Sequence, residues 1–327
     1  MNKLLTVMLA SLLALPAAAK PTYILFDPSG VGDSYSLGIN AEGTVAGEFG
    51  SDIISGFLRH PDGSIETFAA HDAARTSPLG LNDSGQTAGI VLDSTGQHGF
   101  LRQPDGTITL IDEPDGDETA ALAINNGGVV AGSYVQGQGE RGFVRDAGGA
   151  FQSFYALKRK DATEPHAIND AGAVTGFVID NRHYHGFIRA ADGTITVFDA
   201  QSADDGFTNP LAIAEDGTIV GYSIPARAPS HGFVRHPDGT VEIFDPPGST
   251  GTIAYGINRD GVIVGTFSVE GGGGHAFIRR RNGTFKVFDY APKHGVTGAR
   301  AINASGAIAG ELYDAATSER RALLRLP

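Results

Sequence analysis

The side chains in this sequence that could bind or transform a small molecule fall just before the first strand of a repeated unit. They combine carboxylates, a histidine, an arginine, an amide and aromatic rings: Asp33, Tyr35, Arg75, Glu118, Glu164, His166, Phe207 and Asn209. This mixture suits a polar or carbohydrate-like ligand. The alternative is a hydrolase or lyase in which Asp33, Glu118 and Glu164 act as acid and base, and a glycoside substrate would require a pair about 5–9.5 Å apart.

Composition argues against several other kinds of chemistry. The chain has no cysteine, which removes disulfides, thiolate zinc sites, iron–sulfur ligation and cysteine nucleophiles. Four histidines precede a repeated Gly-Phe or Ala-Phe pair, at His98, His185, His231 and His275. A ring of repeats would hold them too far apart to share one ion, so we predict no metal and no cofactor. The net charge of −13, from 24 Lys and Arg against 37 Asp and Glu, argues against nucleic-acid partners.

An internal repeat organises the chain. An Ile-Asn pair, or a close variant of it, is followed by x-x-Gly and recurs at spacings of 42 to 45 residues. The seven anchors are Ile39, Leu81, Ile124, Ile168, Ile213, Ile257 and Ile302. Each unit adds a Gly-Phe-x-Arg element, an Asp-Gly turn and an apolar segment that ends in Phe-Asp, as at 192–199. With 41% apolar residues, the units can together bury a large core.

Each unit is predicted to form four short strands, a to d. Strand a ends at the anchor pair, strand b is typified by 218–222, strand c is the Gly-Phe-x-Arg element, and strand d is typified by 241–244. Apolar and polar residues alternate in strand d at 65–68, which indicates an outer strand exposed on one side. Asn-x-x-Gly links a to b, and Asp-Gly or Asn-Gly links c to d, and both are typical of tight turns.

Four strands per unit, repeated seven times, predict an all-β, seven-bladed β-propeller with four-stranded blades. A β-solenoid or prism is the alternative. Segment 22–27 matches strand d, whereas the seventh unit ends after strand c. We therefore expect the N-terminal strand to complete the last blade, which would close the ring and remove an open sheet edge. This arrangement predicts a single domain over residues 20–327.

Residues repeated in most units are expected to be structural. The arginine two residues after each Phe should bind carbonyl, Asp or Asn acceptors between blades. A Ser or Thr five residues before each anchor should satisfy backbone groups where the chain enters strand a. The Asn after each anchor should bond its own turn two residues on. Ala214 replaces that Asn in the fifth unit, so we expect Ala214→Asn to stabilise the protein.

The units resemble a bacterial extracellular repeat family named for its His-Ala-Phe (HAF) tripeptide. The tripeptide itself occurs at 275–277, and His-Gly-Phe variants begin at His98, His185 and His231. The resemblance covers essentially the whole chain after residue 19. It implies a secreted bacterial repeat protein with a propeller fold, and it implies no particular activity.

The first 19 residues match a secretory signal peptide. Lys3 provides the positive start, 4–15 form an apolar run too short to span a bilayer, and 17–19 form a small-residue cleavage site. No other segment reaches the ~18 apolar residues of a membrane span. The sequence therefore predicts a periplasmic or extracellular protein without a membrane span.

The connections between strands differ in variability. The a–b and c–d turns are short and uniform, whereas the b–c and d–a loops vary in length and composition. Antiparallel connectivity places the two variable loops on one face, and loops on a rigid scaffold commonly carry binding sites. We therefore predict a secreted, non-enzymatic binding or scaffold module, a monomer whose variable face takes a polar or carbohydrate-like ligand or a protein partner.

Overall fold

The computed structural model describes residues 20–327 apart from 29, 31, 71, 159–160, 202–205, 227 and 291–294. The predicted signal peptide lies outside the described residues. The described part of the chain is all-β and contains no helix, so none of it forms a helix that could cross a membrane. Short strands alternate with turns rich in Asn, Asp and Gly, as the repeat predicts.

After an N-terminal strand, β1 (Thr22–Phe26), the strands follow the order a, b, c, d within each unit. Unit 1 contains β2 (Asp33–Ile39), β3 (Val45–Gly50), β4 (Ile54–Arg59) and β5 (Ile65–Phe68). Unit 2 contains β6 (Arg75–Leu81), β7 (Thr87–Asp93), β8 (Gly96–Arg102) and β9 (Ile108–Leu110). Unit 3 contains β10 (Thr119–Ile124), β11 (Val130–Gln136), β12 (Gly139–Arg145) and β13 (Phe151–Phe154).

The remaining units repeat this pattern. Unit 4 contains β14 (Ala162–Ile168), β15 (Val174–Asp180), β16 (His183–Arg189) and β17 (Ile195–Phe198). Unit 5 contains β18 (Phe207–Ile213), β19 (Ile219–Ile224), β20 (His231–Arg235) and β21 (Val241–Phe244). Unit 6 contains β22 (Ser249–Ile257), β23 (Ile263–Val269), β24 (Gly274–Arg279) and β25 (Phe285–Phe288). Unit 7 contains β26 (Gly295–Ile302), β27 (Ile308–Asp314) and β28 (Glu319–Leu326).

Within each unit, consecutive strands pair antiparallel, and the described strands form five sheets. Units 3 and 6 form separate four-stranded sheets, while units 1 and 2, and units 4 and 5, are joined by single parallel contacts. Strand β1 pairs antiparallel with β28, from Thr22↔Leu326 to Phe26↔Ala322, as the outer strand of the unit 7 sheet. No sheet among the described strands closes on itself through hydrogen bonds.

The repeated Phe of strand c forms the core between neighbouring units. In units 1 to 6 it is completely buried, at Phe57, Phe100, Phe143, Phe187, Phe233 and Phe277. The glycine before this Phe leaves room for the Phe of strand d, because a Cβ on Gly186 would lie 2.7 Å from the ring of Phe198. One apolar cluster joins Phe57 of unit 1 to Leu324 of unit 7, with Phe26 of β1 packed against it. The first and last units therefore share a core.

Each repeated arginine stacks on a phenylalanine ring, a contact that the sequence analysis did not anticipate. The guanidinium carbon lies 4.7–5.8 Å from the ring centroid in every unit. In five units the ring belongs to strand d of the preceding unit, and Arg59 of unit 1 stacks on Phe26 of β1. The carbonyl contacts stay within a unit instead of joining two units as predicted, as from Arg59 to His60 O at 3.2 Å. Arg145 stacks on Phe151 of its own unit, and the other six arginines link their unit to a neighbouring one.

The repeated hydroxyl at the start of strand a joins that strand to the segment before it. The N–H of Ala156 donates to Thr163 Oγ1, and the N–H of Ala200 donates to Thr208 Oγ1, both at 3.1 Å. In unit 1, Ser34 Oγ accepts from the N–H of Ala322 in unit 7 at 2.9 Å. These bonds give the hydroxyls the structural role that the sequence predicts.

Candidate functional site

Two cavities lie at opposite ends of the strands. The turn cavity, about 370 Å³, is lined by the anchor and the residues that follow it in all seven units. The loop cavity, about 320 Å³, lies beside the variable loops of units 2, 3 and 4. It is lined by Ile90, Gln97, Glu118, Ala120, Leu122, Ser133, Val135, Glu140 and Glu164. The predicted site residues Glu118 and Glu164 thus share one cavity.

The Asn after each anchor links its unit to the next one around the turn cavity. Six side-chain amides donate to the main-chain carbonyl of the corresponding residue in the following unit, at 3.0–3.3 Å. The donors are Asn40, Asn82, Asn125, Asn169, Asn258 and Asn303. The last donor reaches the carbonyl of Asn40, 263 residues earlier in the chain. The repeated Asn is therefore a structural link between units.

The same side chains also fix their own turns, although mainly not through the bond that the sequence predicts. Their Oδ1 accepts the backbone N–H four residues on, as Asn125 accepts from Val129 at 3.0 Å. The predicted bond two residues on accompanies it at Asn258 and Asn303. In unit 5, the Asp216 carboxylate takes up the corresponding N–H, that of Thr218, at 2.9 Å. Unit 5 thus completes its turn without an Asn.

The charged side chains of the turn cavity bind one another and the backbone. The Asn126 amide donates to Asp83 Oδ2 and Asp170 Oδ2, both at 2.9 Å. The N–H of Asp170 in turn donates to the Glu215 carboxylate at 3.1 Å. Burial raises the pKa of Glu215, and the Asp170 charge adds to this effect while the backbone bond opposes it. These groups extend the link between units.

Seven of the eight predicted site residues lie inside strand a and not before it, which corrects the sequence analysis. They are Asp33 and Tyr35 in β2, Arg75 in β6, Glu164 and His166 in β14, and Phe207 and Asn209 in β18. Only Glu118 precedes its strand, β10. The ladder between strands a and b continues to the variable loops, as at Asp33↔Gly50, so strand a starts earlier than predicted.

Three of these residues are held in pairs outside the loop cavity. Asp33 Oδ1 accepts from the N–H of Arg320 at 2.8 Å, and Tyr35 Oη donates to Asp33 Oδ2 at 3.2 Å. Arg75 Nη2 lies 3.1 Å from both carboxylate oxygens of Glu48. Asp33 is not among the residues that line the loop cavity with Glu118 and Glu164, so the structure does not assemble the predicted trio of acid and base residues.

The loop cavity instead adds Glu140, which the sequence analysis missed. Ser133 Oγ donates to Glu140 Oε1 at 2.7 Å. Burial raises the pKa of Glu140, and the charges of Glu164 and Glu118 raise it further, whereas the Ser133 bond and His166 oppose the shift. None of the nine lining residues is Lys or Arg. The cavity therefore concentrates negative charge.

His166 connects this cavity to unit 5. It occupies a β-bulge, between Pro165 and Ala167, and its Nδ1 lies 2.8 Å from the carbonyl oxygen of Pro210. Its Nε2 lies 3.1 Å from Glu164 Oε1. Both neighbours are acceptors, and a neutral imidazole has only one N–H. A neutral His166 can therefore donate a hydrogen bond to only one of these two acceptors.

An aromatic wall continues from His166 into unit 5. We use this name for Phe177, Tyr184, Phe207 and Tyr222. The Phe207 ring lies between Tyr184 and Tyr222, with centroid distances of 4.3 and 5.5 Å, and Phe177 lies 5.2 Å from the His166 ring. Phe207, a predicted site residue, is thus packed among other rings beside the histidine.

Asn209 carries an unusual buried acceptor next to this wall. Its side-chain nitrogen donates to Tyr222 Oη at 3.3 Å. Its Oδ1 has no hydrogen-bond partner although the residue is only 7% exposed. Buried polar atoms are nearly always paired, so this carbonyl group is a candidate contact for a ligand.

The bulge position of strand a carried a second signal that the sequence analysis missed. This residue, two before the anchor, is leucine in units 1, 2, 3 and 5 but His166, Tyr255 or Arg300 in the others. The Arg300 guanidinium lies 4.3 Å from the Tyr255 ring centroid, and its Nε lies 3.0 Å from Glu311 Oε1. A β-bulge changes the direction of a side chain. In the three units that lack leucine at this position, the bulge therefore redirects a polar side chain.

The four repeated histidines pair with the Asp that ends strand d of the same unit. The Nδ1–carboxylate distances are 2.6–3.0 Å. The pairs are His98–Asp112, His185–Asp199, His231–Asp245 and His275–Asp289. No group of three or more His, Asp or Glu side chains within the described residues is arranged to hold a metal ion.

Comparison with known proteins supports the fold. No family model and no curated protein matches the sequence. Streptogramin B lyase superposes with a TM-score of 0.63 at 14% identity, over 94% of this chain and 98% of that one. An inactive variant of virginiamycin B lyase from Staphylococcus aureus, with quinupristin, gives 0.65 at 12%, over 94% and 100%. The β-propeller domain of the Trilobed protease from Pyrococcus furiosus gives 0.63 at 12%, over 90% and 93%. The chain therefore has a β-propeller fold.

Proposed function

We propose that this chain is a seven-bladed propeller whose ring is closed by β1 as the outer strand of the last blade. Three contacts between the first and last units support the closure. Asn303 donates to the carbonyl of Asn40, Arg59 stacks on Phe26, and Ser34 accepts from Ala322. The Asn303 and Arg59 contacts repeat ones that other neighbouring units make, and the Ser34 bond is particular to units 7 and 1, so these units are neighbours as the other pairs are.

The proposal includes secretion to the periplasm or the medium. Its support is the signal-like segment 1–19 and the HAF-like repeat that follows. Residues 20–327 would then form the mature, single-domain protein. The test is expression of the full chain, fractionation of the cells, and N-terminal sequencing of the mature protein, which should begin at Lys20.

We propose that the mature protein is a non-enzymatic binding module that takes a small polar ligand in the loop cavity. The observation that carries this proposal is the convergence of Glu118, Glu140 and Glu164 from neighbouring strands on one cavity beside the variable loops. A cavity of this size, bordered by a few convergent polar groups, suits a small ligand.

The test is a ligand screen by thermal shift, with a panel of saccharides, amines and amino acids, followed by a glycan array. A ligand that binds only the folded state raises the unfolding temperature. We expect at least one ligand to stabilise the wild type, and we expect Glu164→Gln to reduce that stabilisation. If every ligand that stabilises the wild type stabilises Glu164→Gln equally, the loop cavity is not the site.

A hydrolase or lyase is the second candidate, and the raised pKa of Glu140 is the observation that favours it. A carboxyl group that keeps its proton can act as an acid, while a neighbouring Glu164 or His166 accepts a proton. Two of the similar structures are lyases, but likeness at this identity supports only the fold. Incubation of any ligand found with the protein, followed by NMR, separates the candidates. Binding without conversion supports a binding module, and conversion that Glu140→Gln abolishes supports the enzyme.

A further inference from the structure

The loop cavity presents acceptors in excess of donors. Three carboxylates line it, and no lysine or arginine does. Asn209, whose Oδ1 is buried and unpaired, is not among the lining residues but stands at a corresponding position of unit 5, four residues before the anchor. Ala120 and Glu164 occupy that position in units 3 and 4, and both line the cavity. An unpaired buried carbonyl is costly unless a donor arrives.

His166 stands between two acceptors of this region. It bridges Glu164 Oε1, at 3.1 Å, and the carbonyl of Pro210, at 2.8 Å. Pro210 directly follows Asn209, so the bridge connects the carboxylates to the unpaired amide oxygen. A positively charged ligand would balance the charge of the three carboxylates.

The aromatic wall lies next to the loop cavity, and none of its four residues is among those that line the cavity. Phe177 packs edge-on against His166, and Tyr222 carries the hydroxyl that Asn209 contacts. Ring faces attract ammonium and guanidinium groups. A cation long enough to extend from the cavity past His166 would therefore meet apolar surface there.

We propose that the loop cavity binds an organic cation with several N–H donors, such as a primary ammonium or a guanidinium group. This inference rests on the proposed function and names its ligand class. A neutral saccharide would donate hydrogen bonds but leave the charge of three carboxylates uncompensated. A quaternary ammonium would bring charge but no donor for Asn209 Oδ1.

The experiment is titration calorimetry with agmatine, which has a guanidinium at one end and a primary ammonium at the other. Tetramethylammonium and glucose serve as the comparison probes. Removing one carboxylate charge with Glu164→Gln should weaken agmatine binding by about tenfold or more. Glu215→Gln removes the same charge at the turn cavity and should leave the affinity within about twofold. Tetramethylammonium and glucose should bind more weakly than agmatine.

The variants must first unfold cooperatively at temperatures close to that of the wild type, and Glu140→Gln provides a second test if Glu164→Gln does not fold. Equal agmatine affinity of the wild type and the folded cavity variant overturns the inference. Glucose or another saccharide that binds instead of agmatine, and loses affinity in Glu164→Gln, also overturns it but leaves the proposed function standing. If no probe and no ligand of the wider screen binds, both proposals fail.

Discussion

The turn cavity and the loop cavity sit at opposite ends of the same strands but are built differently. Around the turn cavity, the same Asn recurs in six units, and each side chain bonds both its own turn and the next unit. The loop cavity is lined by polar residues that each occur once, and Asn209, which stands at a corresponding position of unit 5 but does not line the cavity, has an unpaired Oδ1. The repeated Asn of the turn cavity thus has hydrogen-bond partners for its amide and its oxygen, whereas Asn209, which occurs once, has an unpaired acceptor.

This difference separates the residues that stabilise the protein from those that we propose to bind a ligand. The proposed ring needs equivalent contacts at every junction between units, and the residues that make such contacts repeat. A small ligand contacts only a few neighbouring strands, so its site can vary from unit to unit. Unpaired acceptors and crowded carboxylates reduce stability, and a ligand that supplies donors would compensate for them. We therefore assign stability to the turn cavity and binding to the loop cavity.

The largest effect should follow deletion of residues 20–27, which removes β1. The deletion exposes the edge of β28 and leaves Phe57 without its partner Phe26, whose ring lies 5.6 Å away. Exposed edges invite association, so we expect aggregation and a lower unfolding temperature, measured by light scattering and calorimetry. Deletion of Lys20 and Pro21 alone keeps β1 and is the control. A monomeric protein of unchanged stability would contradict closure by this strand.

The next effect concerns the core between units 3 and 4. Phe187 is completely buried, between strands of units 3 and 4. Phe187→Ala should lower the free energy of unfolding by about 3–5 kcal/mol. Reversible urea denaturation measures this loss, and Leu157→Ala, at an exposed position, is the control. A loss below about 1 kcal/mol would mean that strand c does not face the core as described.

Glu140→Gln should stabilise the protein near neutral pH. The pKa of Glu140 is raised in the folded state, chiefly by burial. Deprotonation therefore reduces stability as the pH rises from the usual Glu range through the raised pKa, and the reduction persists above it. Gln retains an acceptor for Ser133 and cannot ionise. Thermal unfolding from pH 4 to 8 should show an advantage of the variant that disappears toward the acidic end. An advantage independent of pH would contradict this assignment.

The smallest effect is expected for Ala214→Asn in the turn cavity. The N–H of Thr218 already has the Asp216 carboxylate, so the new side chain adds mainly a donor for the carbonyl of Asn258. We expect roughly 0.5–1 kcal/mol of stabilisation, the net value of one hydrogen bond. Chemical denaturation measures it, with Ala214→Ser as the control. Lower stability of Ala214→Asn would show that unit 5 cannot accept the repeated link.

The sequence predicted what the repeat determines. The strands, the turns, the outer position of strand d and the likeness of segment 22–27 to strand d all follow from periodicity, and the β1–β28 pairing agrees with that likeness. The partner of each arginine did not follow, because Phe154 and Arg189 meet across a junction between units. Spacing within one unit contains no information about that contact.

The candidate site was only partly predictable for a related reason. Glu118 and Glu164 were found because both stand at the start of strand a, where the variable loops meet the scaffold. Glu140 was missed because it starts strand c, and its proximity depends on how units 3 and 4 pack. The unpaired state of Asn209 Oδ1 depends on its whole surroundings. A comparison of the bulge position across units would have added Tyr255 and Arg300 to the predicted His166 from the sequence alone.

The most direct test of this assignment of stability and binding compares an Asn at the turn cavity with an Asn beside the loop cavity. Asn125 and Asn209 are both buried, 6% and 7% exposed, but Asn125 has partners for its amide and its oxygen whereas Asn209 Oδ1 has none. Unfolding free energy and agmatine affinity would be measured for Asn125→Ala and Asn209→Ala. We expect Asn125→Ala to lose about 1–3 kcal/mol of stability and to keep its affinity. We expect Asn209→Ala to lose less than about 1 kcal/mol and to bind about tenfold more weakly. The opposite pattern, with stability lost at Asn209 and binding lost at Asn125, would contradict the assignment of the two cavities.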